Sequence, residues 1–254
     1  MDDVNLNSRQ SIYFGISYVI AGQWSSDTVK RLDFQRTLAE QQLDFPQTRV
    51  GSNDFMLFRN EPSSLQIKLA SSGPGVSSLA ITSDKPVHTL EMFCKEAEAV
   101  CGAYQQTWLP QQCQILRTTA TIRHLYSCRE HAFKFLWEQR LSQNPQDFKF
   151  LGNRPVAGGG LRLIMPPIKT DPEPVQIEVR IESFLRQAEN MLTETIFVWP
   201  KPRLLHEDEQ FDSEFRLNSV EQYASGELCD FLLNSKGERK NHFIEQISAG
   251  KLSI

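Results

Sequence analysis

The sequence predicts an α+β fold made of two tandem β-α-β-β-β-α units, with an antiparallel sheet and helices packed mainly on one face. Three observations carry this expectation. Period-two apolar runs recur as short strands joined by turn-rich links, the pattern of hairpins. Amphipathic helical segments separate groups of these strands. The element order of residues 1–110 recurs across residues 111–254, so the boundary between units falls near Pro110.

The first strand alternates Ile12, Phe14, Ile16, Tyr18 and Ile20 with Tyr13, Gly15, Ser17 and Val19, and Gly22 ends it. Such a pattern suits a sheet covered on one side. A helix follows, with Asp27 as N-cap and Val29, Leu32, Arg36, Ala39 and Leu43 at helical spacing; Pro46 closes the segment. Three strands come next, at Phe55–Phe58, Leu65–Leu69 and Ser78–Thr82, linked through Asn60-Glu61-Pro62-Ser63 and Ser71-Ser72-Gly73-Pro74-Gly75. The strongest helix starts after Pro86. Its apolar stripe is Leu90, Phe93, Cys94, Ala97, Val100, Cys101, Tyr104 and Trp108, and Pro110 stops it.

The order then repeats. Cys113 to Tyr126 reads as a strand. Phe133, Leu136, Trp137 and Leu141 mark a helix ending near Asn144-Pro145, with Ser127 expected to cap it and Glu130 in its first turn. An extended stretch begins at Phe148 and Phe150 and continues past Gly158-Gly159-Gly160 to Leu161, Leu163 and Met165. Val175 to Ile181 is the cleanest alternating strand, and Thr195 to Trp199 marks another. An acidic connector, Glu207 to Glu214, reads as solvated and leads to one final helix with Val220, Tyr223, Ala224, Leu228, Phe231 and Leu232 inward. Locally, Leu65-Gln66-Ile67-Lys68-Leu69 parallels Val175-Gln176-Ile177-Glu178-Val179. Two such units share one sheet about a pseudo-twofold axis, or form two small domains with a cleft between them. Either arrangement makes a central seam where ligands tend to sit.

Composition sets limits. In 254 residues, 40% are apolar, enough for a core without a disulfide or metal staple. Net charge is −4, and Lys and Arg are dispersed, which argues against nucleic acid as a partner. The five cysteines, Cys94, Cys101, Cys113, Cys128 and Cys229, form no CxxC pair and read as reduced core thiols of a cytoplasmic protein. The acidic N-terminus lacks the layout of a signal peptide, and no apolar run is long enough to span a membrane.

His124, Cys128 and His131 are the densest cluster of metal-type residues. On one helix they would share a face, and zinc favours imidazole and thiolate. The strand-to-helix junction expected there scatters them, and a fourth ligand is not evident. Gly159, flanked by Arg154 and Arg162, could offer backbone N–H groups to an anion, but the segment lacks the Gly-Lys-Ser/Thr ending of a P-loop; a hairpin tip or bulge explains it equally. Arg117 and Arg123, with Thr119 and Thr121, give one strand a polar, partly basic face. Arg117, Arg123, Arg154, Gly159 and Arg162 are therefore the candidate binding residues. There is no GxSxG elbow and no HExxH pair, and nothing calls for a cofactor.

The early apolar strand from Ile12 to Ile20, the Gly-Gly-Leu-Arg-Leu segment from Gly159 to Leu163 and the Val175–Ile181 strand together resemble an uncharacterised, sporadically distributed bacterial protein family of about this length. The resemblance implies a bacterial cytoplasmic origin and brings no catalytic residues with it. The repeated unit is also similar in topology to the half-repeat of TATA-box-binding proteins, although a fold does not confer a function. The expectation is a non-enzymatic binding or adaptor protein, with a protein or small ligand at the seam between units and a homodimer as its assembly. A nucleic-acid saddle and an enzyme using the His/Cys cluster are the alternatives.

Overall fold

The computed structural model describes residues 4–22, 27–51, 55–109, 113–144, 146, 152, 154, 156–206 and 209–233. The expected stretch at Phe148 and Phe150, and Glu207 and Asp208 of the acidic connector, lie outside the described residues.

The chain is α+β, with one large antiparallel sheet. In order, the elements are β1 (Val4–Ala21), α1 (Thr28–Glu40), β2 (Gln47–Gly51), β3 (Phe55–Asn60), β4 (Leu65–Gly73), β5 (Val76–Asp84) and α2 (Leu90–Trp108). Then come β6 (Cys113–Cys128), α3 (Ala132–Phe135, running into a π-helical turn over Leu136–Arg140), β7 (Gly160–Met165), β8 (Gln176–Ser183), β9 (Asn190–Trp199), β10 (Arg203–Leu205), α4 (Ser213–Ser225) and α5 (Glu227–Leu233). The strands lie in the order β2-β3-β4-β5-β1-β6-β9-β8-β7, and β10 pairs with the start of β6. The two long strands β1 and β6 therefore sit side by side at the centre, with Ile16 opposite Ala120.

Alternation along β1 assigns the faces. Phe14, Ile16, Tyr18 and Ile20 are buried and meet the helices, with Phe14 against Phe93 of α2 and the Tyr18 hydroxyl 2.9 Å from Ser213 Oγ of α4. On β6 the same face carries Ala120, Ile122, His124 and Tyr126, whose hydroxyl is 3.8 Å from Cys229 Sγ of α5. Period two makes this assignment rigid, because a one-residue slip would send every apolar group to the opposite face.

Helix α2 follows the expected stripe. Thr89 caps it by accepting the Met92 N–H at 3.4 Å, and Phe93, Cys94, Ala97, Val100, Cys101, Tyr104 and Trp108 are all buried. Helix α1 starts at the expected cap, with Asp27 accepting the Val29 N–H at 2.6 Å, but its inner face differs from the expected one. Val29 and Leu32 are 66% and 56% exposed, whereas Phe34 and Leu38 are fully buried. The reason is aromatic packing: Phe34 sits 5.3 Å from Phe58 and 5.0 Å from Trp108, centroid to centroid.

Three further expectations are corrected. Ser127 belongs to β6, and His131 is the cap of α3, its Nδ1 accepting the Phe133 N–H at 3.2 Å. The final helix is two, broken at Gly226. Asp212 of the acidic connector is not simply solvated, because it bonds both Arg203 and Arg216. The five cysteines are buried and unbridged. No helix among the described residues is long and apolar enough to cross a membrane.

Candidate functional site

All the helices that pack on the sheet approach it from the face of Phe14 and Ile16, so the side chains of Tyr13, Gly15, Ser17 and Val19 look out from the opposite, open face. Strand registers extend these positions into rows across the sheet. One row runs Arg49, Leu57, Lys68, Ala80, Ser17, Thr119, Val198, Gln176. A second runs Arg59, Gln66, Thr82, Gly15, Thr121, Ile196, Glu178, Ile164. The centre of the open face, over the β1–β6 seam, is thus made of small side chains. Charge collects to either side.

A continuous ion-pair ladder crosses four strands of this face, β6, β9, β8 and β7, and a cation–π contact ties it to β1. The Arg123 guanidinium lies 4.5 Å from the Tyr13 ring centroid on β1 and donates from Nε to Glu194 Oε1 of β9 at 2.6 Å. Glu194 Oε2 is 3.0 Å from Arg180 Nη1 of β8. Arg180 donates from Nε to Glu178 Oε1 at 2.7 Å, and Glu178 also accepts two bonds from Arg162 of β7, at 2.7 and 3.1 Å. The registers explain the chain of contacts, since Arg123 faces Glu194 directly and Glu194 faces Arg180. The Tyr13 ring lies over Gly15. A Cβ on Gly15 would come within 2.7 Å of the Tyr13 hydroxyl, so glycine makes room for the ring. Burial raises the Tyr13 phenol above its ordinary value, with Arg123 opposing the shift.

A register shift between Ser11 and Tyr13 turns Ile12 out of the core pattern expected for it. There it lines a hollow of about 310 Å³ with Arg123, Arg180, Phe184, Leu192 and Glu194. The hollow lies beside the ladder and gives the open face a shaped depression.

Compared with protein-family models, curated proteins and solved structures, the chain has no significant match. Function is therefore read from the geometry alone.

Of the residues singled out in the sequence, Arg123 and Arg162 join the same ladder, at its two ends. Arg117 is exposed on β6 outside it, opposite Val19. Arg154 is exposed in the connection before β7. Gly159 does not offer its N–H to an anion, because Ser183 Oγ accepts that proton at 3.1 Å. The glycine run instead serves close packing: a Cβ on Gly159 would fall 2.5 Å from the Phe133 ring. His124 and Cys128 face the helices four positions apart on β6, while His131 is spent as a helix cap. No group of three or more His, Cys, Asp or Glu side chains suited to a metal occurs among the described residues. His124 Nε2 is instead 3.3 Å from Glu221, which also meets Arg9 at 2.9 Å.

The sequence reading missed Glu178, Arg180 and Glu194. The available signal was the opposite charge alternating with apolar residues in Gln176–Glu182. The ladder also carries a pH dependence. The Arg162 hydrogen bond holds the Glu178 carboxyl below its ordinary value against the cost of burial, and Arg180 adds to this. A carboxyl depressed in the folded state contributes stability above its unfolded pKa and loses it as pH falls through the folded value. Amides of β7 are therefore expected to exchange faster with solvent as pH drops below about 4, after correction for intrinsic exchange. Glu178→Gln should flatten that dependence, and an unchanged profile in the variant would contradict the assignment.

Proposed function

We propose that this chain is a non-enzymatic binding or adaptor protein of the bacterial cytoplasm that takes its partner on the open face of the sheet, across the β1–β6 seam. The observation that carries the reading is the uncovered face itself. Paired strands present a continuous surface whose centre is Ser17, Ala80, Thr119 and Thr121, small enough for close approach, with the Tyr13 ring over Gly15 at one side of it. Its carboxylates at Glu178 and Glu194 are held in charge-assisted bonds, which leaves neither poised as a general base.

The tandem-repeat expectation belongs to the same proposal. Outward from the seam, β1 is followed by β5, β4 and β3, and β6 by β9, β8 and β7; α2 closes the first set in sequence and α4 the second. This order supports two β-α-β-β-β-α units, divided near residue 110, with β2 as an extra edge strand in the first. A homodimer completes the proposal, and β2 and β7 are the sheet edges where it would form.

The test is affinity capture from the source organism's lysate using wild type beside Ser17→Arg and Thr119→Glu, followed by cross-linking. A partner that both variants lose, and that cross-links through Lys68 of the open face, is the expected result. A partner retained by both variants, or one reached through Lys30 or Lys95 on the helices, overturns the reading.

A nucleic-acid partner is the second reading, and charge distribution favours it. The open face gathers Arg49, Arg59, Lys68, Arg117, Arg123, Arg162 and Arg180 against Asp84, Glu178, Glu182 and Glu194, in a chain of net charge −4. Its test is fluorescence polarisation of labelled duplex and single-stranded oligonucleotides at two salt concentrations. Affinity should fall steeply with salt and weaken in Lys68→Glu and Arg117→Glu. No binding at low salt ends this reading.

A further inference from the structure

On the helix side of the sheet, where β6, β9 and β10 meet α4, a second cavity of about 450 Å³ opens between Trp199, Lys201, Arg203, Arg216, Thr118 and the Pro172–Pro174 loop. Its volume is that of a small-molecule site. Arg216 is 4% exposed, and its guanidinium lies 4.4 Å from the Trp199 ring centroid. Its Nε donates to Asp212 at 2.6 Å, and one terminal nitrogen, Nη2, donates to Glu173. The other, Nη1, is buried with no hydrogen-bond partner among the described residues. Buried guanidinium N–H groups are rarely left so, because each forfeits its water without replacement.

The surrounding charges indicate what would satisfy it. Arg203 donates to Asp212 at 3.1 Å, and among the described residues Lys201 Nζ reaches the Pro172 carbonyl, at 3.4 Å. Among the described residues of the site, Arg216, Arg203 and Lys201 thus stand against two carboxylates, Asp212 and Glu173, an excess of one positive charge. A single oxyanion supplies both the missing acceptor and the missing charge. Ile115, Trp199 and the prolines make the remaining walls apolar, which suits a flat organic body behind the charged end.

We infer that this cavity binds a small organic monocarboxylate, its carboxylate on Arg216 Nη1 and Lys201 and its apolar body against Ile115 and the prolines. A guanidinium fork matches a planar carboxylate well, and the apolar walls reward an apolar ligand. The site is separate from the open face, and its occupancy does not depend on the partner proposed there.

Titration of the full chain with benzoate, and separately with inorganic phosphate, tests the inference by two-dimensional NMR of the tryptophan indole N–H groups and by thermal shift. Saturable movement of the Trp199 resonance with benzoate is expected, assigned by its absence from Trp199→Phe, together with a concentration-dependent rise in Tm. Arg216→Met should weaken benzoate binding about tenfold or more. Because that variant leaves Asp212 and Glu173 less well compensated, Lys201→Ala on the rim serves as the second variant, expected to weaken binding about threefold without loss of fold. No benzoate response, a response unchanged in Lys201→Ala, or phosphate binding as tight as benzoate overturns the monocarboxylate site.

Discussion

Phe34→Ala is expected to destabilise the chain by about 3–5 kcal/mol, the usual cost of emptying a phenylalanine site in a packed core. Phe34 is fully buried and touches aromatic rings on both sides, Phe58 of β3 and Trp108 of α2. Leu32→Ala, on the same helix and two residues away, should change stability by no more than about 0.5 kcal/mol, because that leucine is largely in solvent. Urea titration of the two variants gives the comparison. Equal losses, or a larger one at Leu32, would mean that α1 packs by the other face.

Gly160→Ala is the second large effect, at about 1–3 kcal/mol of destabilisation from overpacking. A methyl group there would stand 2.3 Å from the Ile181 carbonyl oxygen and 2.9 Å from Glu182 Cα, both backbone atoms that cannot swing aside. Relief requires β7 to move off β8, which pulls Arg162 from Glu178 and opens the outer end of the ladder. Gly102→Ala provides the opposite control. Nothing lies within 4 Å of a Cβ at that helical position, so alanine is expected to stabilise α2 by about 0.5–1 kcal/mol. Paired thermal melts should move in opposite directions, and a neutral Gly160→Ala would show that the β7–β8 contact is looser than described.

Much of this fold is legible in the residues, and the misses have identifiable causes. β1, β5, β8 and α2 advertise themselves because each has one face buried and one exposed, which imprints its period on the sequence. β2, Gln47-Thr48-Arg49-Val50-Gly51, leaves no such imprint: it is an edge strand with almost no buried side chain, held by backbone pairing to β3. The face of α1 differs from the expected one because its buried residues are Phe34, Thr37 and Leu38, and Leu32 lies on the opposite side of the helix from Phe34. The ladder was half visible. Arg123 and Arg162 stand out as cations among apolar neighbours, but their coupling runs through Glu194, Arg180 and Glu178, and cross-strand neighbours follow from register rather than local sequence. The Arg216 cavity had no local signature, since its walls come from four separate stretches of chain.

The central strand pair also governs how the chain reaches its final shape. Hairpins such as β4–β5, joined through Pro74-Gly75, close a short loop and can form early. Ile16 meets Ala120 only after everything between them has been looped out, a long-range contact of the kind that slows folding. The middle of the sheet is thus expected to assemble after the hairpins. Until it does, two long strand edges stay unprotected, and these are the surfaces through which a nascent chain of this kind would misassociate.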